Sequence, residues 1–378
     1  MKPSPAPPSP SPTRLVLALV VGLLTPAALG ACSMQKLTGN TMVTYTTDHV
    51  FTYLMASDDL NAACELGVSM GGFLESFAAV DVNPDKAAIT SQVAAGMCAE
   101  ALAWELALER TRALGRGDAT GAQDALIREK EAHRLAATRN YAAYQRALAA
   151  YGSPDAGCPK FGNRNDEVLY MLGLSAGALA LLHDQNADRS AGVPMDVPVL
   201  VERGAACLDP QRWWGVPLAL RAAVWLSVPG LGGDRDPWAA LHEAATLGDE
   251  AGVSMARALL VQSARAAGQK ERMCAALAAQ EEALRQTPRA DPWRLLDRYG
   301  QVMMRFENDI TWTQERGHRA PFGHWQCPAA PVVIDDADAD DLLEGLFGPD
   351  EDEPTPVEPE LLDDAKAEAE GAPGAEAP

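Results

Sequence analysis

Positive charge is scarce in this chain. Lys plus Arg number 31 against 52 Asp plus Glu, a net charge of −21 over 378 residues. A phosphate backbone would be repelled, so nucleic acid is excluded as a partner. Strand-like alternation of apolar and polar residues is nearly absent, which argues against a sheet. No apolar run reaches the roughly 20 residues that a bilayer-spanning helix needs. Local site signatures are missing too. The loop Pro229-Gly230-Leu231-Gly232-Gly233 has no following Lys-Ser/Thr for a phosphate site. Asp336, Asp338 and Asp340 alternate like a calcium loop, but Asp341 and Phe347 stand where Gly and Glu are required. No cofactor is implied.

The negative charge is unevenly placed. Residues 335–378 carry 17 Asp plus Glu and one Lys, a net of −16, which leaves −5 for the rest of the chain. Low hydrophobicity with high charge predicts a disordered acidic tail over 331–378, interrupted by the apolar island Leu342–Phe347.

The N-terminus reads as an address. Lys2 and Arg14 precede the apolar run Leu15–Leu24, the size of a signal-peptide core. Next comes Leu29-Gly30-Ala31-Cys32, which resembles a lipobox. Small residues admit the signal peptidase, and the Cys32 thiol takes a diacylglyceryl group. Residues 1–31 are thus expected to be a lipoprotein signal peptide, with Cys32 the lipidated first residue of the mature protein. Ser33 follows where Asp would favour inner-membrane retention, so we expect anchorage on the periplasmic face of the outer membrane. Acyl chains anchor stably without a transmembrane segment.

Residues 32–56 are rich in Thr and β-branched residues and predict a polar tether, with at most a short helix near His49–Met55. From 57 to 330 good helix formers dominate. The expected fold is all-α, built of stacked antiparallel hairpins. The first hairpin has one helix from Asp58 to Ala79, a connector ending at Asn83-Pro84, and a second helix striped by Ile89, Val93, Met97, Trp104 and Leu108. A third long helix carries His133, Ala137, Tyr141, Tyr144 and Tyr151 on one stripe, and shorter helices follow. Asp236-Pro237-Trp238 recurs as Asp291-Pro292-Trp293, which predicts two helix starts of the same kind. Ala264, Ala276, Ala283 and Pro288 partly fit a tetratricopeptide unit. Such hairpins stack because none buries its apolar face alone.

Gly67-Val68-Ser69-Met70-Gly71 and Gly173-Leu174-Ser175-Ala176-Gly177 match the nucleophile-elbow string of serine hydrolases. The elbow needs a strand before the serine, and the residues before Gly67 read as helix. Small residues that let a neighbouring helix approach explain the string better, so no catalytic residue is expected. His318, His324 and Cys327 cluster, yet their spacing fits no closed zinc site. Trp213, Trp214, Trp225 and Trp238 are expected mostly in the core, with some lining an apolar groove.

Lipidation of Cys32 leaves six cysteines in an oxidising envelope. Cys64 and Cys98 lie 17 residues either side of Asp81 in the hairpin connector. Residues equidistant from a turn sit at one height in antiparallel helices, so these two are expected to pair. Cys158 and Cys207 form a second candidate pair. The alternative is small buried thiols.

Taken together, lipobox Cys32, Ser57-Asp58-Asp59 opening the first long helix, Tyr141-Ala142-Ala143-Tyr144, Gly204-Ala205-Ala206-Cys207-Leu208-Asp209 and Trp213-Trp214-Gly215 resemble the TatT-type T-component lipoproteins associated with tripartite ATP-independent periplasmic (TRAP) transporters. The resemblance spans roughly 33–330; the acidic tail is a departure from it. It implies a non-enzymatic all-α trimer with a hydrophobic groove. It also implies docking with the transporter's periplasmic substrate-binding protein. The alternatives are a tetratricopeptide-like scaffold in envelope assembly and a serine hydrolase using Ser69.

Overall fold

A computed structural model describes residues 34–289 and 291–329. Cys32, the expected signal peptide over 1–31 and the expected acidic tail over 331–378 lie outside the described residues. Among those described there are eleven α-helices and no strand. They are α1 (34–55), α2 (Leu60–Ser76), α3 (Asp85–Gly115), α4 (Ala119–Tyr151), α5 (Arg164–Asn186), α6 (Val197–Ala205), α7 (Val216–Ser227), α8 (Pro237–Ala251), α9 (Met255–Ala266), α10 (Lys270–Gln286) and α11 (Arg294–Arg316).

Local chemistry explains most boundaries. The side chains of Asp59, Asp118, Asn163 and Asp236 accept hydrogen bonds from the first-turn N–H groups of α2, α4, α5 and α8. Each such cap contributes about 1 kcal/mol. Gly252 and Gly317 adopt the left-handed conformation that ends α8 and α11.

The repeated Asp-Pro-Trp string yields only one of its two expected helix starts. Asp236 caps α8 at Pro237, but Asp291-Pro292 is a cis peptide and α11 begins at Arg294, with Trp293 before it.

The 32–56 segment corrects the tether expectation. It is helical from 34 to 55, broken only by a π-helical turn at Thr46–Val50, and it buries Phe51, Leu54 and Met55. Threonines 38, 41, 46, 47 and 52 each donate a hydroxyl to the carbonyl four residues earlier, which absorbs their polar groups within the helix.

Successive helices pack on one another across short connections. The 21-residue stretch Leu60–Val80 is apolar and long enough to cross a membrane by length and composition, a feature the sequence reading did not pick out. Here it forms α2 and a 3-10 turn (Phe77–Val80), with Ala63, Gly67 and Leu74 buried. Close approach depends on small residues. A methyl group on Gly67 would lie 2.6 Å from Ala94 Cβ, and one on Gly173 would lie 2.2 Å from Ala147 Cβ. Overpacking of that kind costs about 1–3 kcal/mol. The glycines of both Gly-x-Ser-x-Gly strings are therefore helix-contact residues, as the small-residue reading expects.

Helix α11 returns to the start of the chain and packs against α1, α2, α3 and α9. Arg294 donates to the Ala56 carbonyl at 2.7 Å, and Arg319 pairs with Glu105. Asp297 on α11 accepts from both the N–H and hydroxyl of Ser254, binding α11 to the start of α9. This return closes the space between the long helices and the shorter ones, and the cleft described next lies in that space.

Candidate functional site: an apolar cleft backed by a buried polar chain

The cleft is walled by α1, α3, α4, α5, α9 and α11, with Trp214 and Val216 from the turn into α7. It leaves about 50 Å³ of free space. Met55, Met97, Met171 and Met255 line it, together with leucines, valines and alanines. Thioethers on unbranched chains adapt to varied shapes at little cost. None of the lining residues is charged. The polar side chains of the wall are Thr90, Asn140, Ser175 and Tyr299, with the indole N–H of Trp214. Ser175 donates its hydroxyl to the Met171 carbonyl at 2.9 Å.

Tyr299 belongs to two environments. Its ring lines the cleft, while its hydroxyl hydrogen-bonds Glu100. Burial, and then the Glu100 charge, push the phenol well above its ordinary value, so it stays protonated and donates. Behind it runs a chain of buried polar groups. Glu100 Oε1 receives His183 Nε2 at 3.1 Å, and His183 Nδ1 lies 2.9 Å from His133 Nδ1. That last pair needs one donor and one acceptor. Burial, then His183, then Arg110 push His133 down to about 3, so its imidazole is neutral and fits such a pair. Arg110 is itself held by a two-point pair with Glu129 at 2.6 and 3.1 Å. Glu307, buried on α11, is pushed up to about 7 by desolvation and by Glu100, against the pull of Arg265.

The serines of the elbow strings have no such setting. Ser69 and Ser175 lie within α2 and α5, and their hydroxyls bond carbonyls of their own helices. Neither has the strand-to-helix turn that thrusts a nucleophile outward. His318 and His324 flank the Trp312 ring at 5.8 and 5.7 Å between centroids. Cys327 is joined to Cys274. No cluster suited to a metal occurs among the described residues.

The cysteines pair as Cys64–Cys98, Cys158–Cys207 and Cys274–Cys327, with Cα separations of 5.3, 5.4 and 5.5 Å. The first staples α2 to α3 one residue from Met97 of the cleft wall. The third was not anticipated, because no hairpin turn relates its two positions. Trp213, Trp214 and Trp225 are buried, as expected; Trp214 faces the cleft and Trp238 lies under Arg272. The polar chain was missed apart from the placement of His133 on an apolar stripe.

A second surface feature is apolar and outward. Leu37, Met42, Tyr45 and Tyr53 on α1, with Val68 and Phe73 on α2, are all exposed. Comparison with protein-family models, with curated proteins and with solved structures finds no match to the chain.

Proposed function

We propose that this is a lipid-anchored helical protein of the bacterial envelope that works by binding rather than by catalysis. In this reading it is the accessory component of a TRAP-type uptake system. It holds an apolar ligand and docks the soluble substrate-binding protein. The observation that carries the reading is the uncharged, methionine-lined cleft between the long helices and α11. Apolar clefts with a few placed polar groups are the usual form of small-molecule sites. The helical setting of Ser69 and Ser175 supports binding over hydrolysis. The exposed apolar residues of α1 and α2 offer a docking face, for the partner or for further copies in a trimer.

Two measurements test this. Mass spectrometry of the mature N-terminus is expected to show acylated Cys32; an unmodified Cys32 or a free Ser33 removes the anchor. Purified protein is expected to bind the substrate-binding protein of a TRAP operon encoded beside it. Absence of transporter genes next to it, with no such binding, removes the TRAP assignment.

A further inference from the structure

Asn140 narrows what the cleft can hold. It is only 2% exposed, borders the cleft, and makes no side-chain hydrogen bond among the described residues. Its amide lies across Gly96, where a methyl group would stand 2.9 Å from both Nδ2 and Oδ1. The absence of a side chain at 96 is what makes room for it. The polar atoms sealed in the body without partners lie elsewhere, as at Tyr144 Oη and Tyr170 Oη. The Asn140 amide, by contrast, faces space. Of the other polar groups of the wall, Ser175 is engaged with the Met171 carbonyl and Tyr299 with Glu100. The Thr90 hydroxyl and the Trp214 indole N–H are also without a side-chain partner, but only the Asn140 amide both donates and accepts from a residue so deeply buried.

A buried amide without a partner points to a group that supplies one. The surroundings define the charge of that group. No cation lines the cleft to neutralise an acid, and the Glu100 carboxylate stands directly behind Tyr299. A carboxylate there would be desolvated and repelled. An ammonium would be desolvated too, because no acid reaches the lining and Glu100 already accepts from His183 and Tyr299.

We propose that Asn140 is the polar subsite of the cleft. The ligand it selects is a neutral amphiphile: an aliphatic body bearing one uncharged hydroxyl, carbonyl or amide that exchanges hydrogen bonds with the Asn140 side chain. The free space of about 50 Å³ is smaller than such a ligand, so the proposal requires the four flexible methionines to swing aside and admit the aliphatic part. This rests on the reading of the cleft as a ligand site.

The test is calorimetric titration of the mature protein with 1-hexanol, hexanoate, hexylammonium and toluene, the last being an apolar control. Wild type is expected to bind hexanol at least about tenfold more tightly than either ion. Asn140→Leu is expected to weaken hexanol about tenfold and leave toluene within twofold. Asn140→Ala serves as a second variant, should leucine crowd Gly96, and thermal melts confirm that each variant is folded. Hexanoate or hexylammonium binding as tightly as hexanol overturns the proposal. So does unchanged hexanol binding in both folded variants, while toluene binding would leave the cleft itself standing. Failure of wild type to bind any of the probes overturns the subsite and the cleft reading together.

Discussion

The cleft and the polar chain behind it share the ring and hydroxyl of Tyr299, yet they tolerate change very differently. The cleft is walled by side chains that need no partner and keeps free space beside flexible methionines. Its packing therefore absorbs substitutions of similar volume. The polar chain has no such slack. Glu100, His183 and Tyr299 satisfy one another in a buried setting, so removing one strands the others. The contrast teaches where stability resides and where adaptability is allowed: α11 is held by its polar contacts and leaves its apolar face free to bind.

The largest effect is expected from Glu100→Ala. It leaves His183 Nε2 and Tyr299 Oη buried without an acceptor, and the loss should be about 3–5 kcal/mol by denaturant titration. A loss near zero would break the contrast. Tyr299→Phe comes next, because it keeps the ring in the cleft and removes only the donor to Glu100. We expect about 1.5–3 kcal/mol of destabilisation with toluene binding unchanged. Equal damage to binding and stability would show the two regions to be one.

Glu307→Gln is expected to stabilise the protein at pH 8 by about 1–3 kcal/mol, less whatever its pairing with Arg265 returns. The sign follows from the carboxyl raised to about 7 from 4.5. The unfolded chain ionises first, so stability falls as pH rises from about 4.5 to 7. His133 acts in the opposite sense. With its imidazole lowered to about 3 from 6.5, the unfolded chain takes the proton first, so stability falls as pH falls through that range. The Glu307→Gln variant should thus lose stability with acid more steeply than wild type between pH 7 and 4.5, as pH-dependent melts would record. The smallest effect belongs to the cleft wall. Met97→Leu should change stability by less than about 1.5 kcal/mol, and a larger loss would mean that the cleft is packed as tightly as the chain behind it.

Much of the hairpin architecture was legible because its signals are local. Asp236-Pro237 and Asn83-Pro84 mark helix boundaries whatever lies around them. The Cys64–Cys98 pair was legible because a hairpin makes sequence distance a ruler. Helix α1 was misread for an equally local reason: its threonines and valines are poor helix formers. Burial of Phe51, Leu54 and Met55, with hydroxyls bonded back to the helix, outweighs that propensity. Cys274 and Cys327 are 53 residues apart, and the return of α11 brings them together. Glu100 and Tyr299 are 199 residues apart, and no pattern along the chain relates them.

The sequence by itself determined the all-helical class, the first hairpin and the helix start at Pro237, the small-residue contacts at Gly67 and Gly173 and the concentration of acid in residues 335–378. These follow from propensity, capping, steric size and composition, which act over a few residues. Only the tertiary structure decided that α11 closes onto α3. That closure makes one wall apolar and adaptable, sets a satisfied polar chain behind it, and leaves Asn140 facing space without a partner. Packing and desolvation act between surfaces brought together from distant parts of the chain, and their outcome exists only once those surfaces meet.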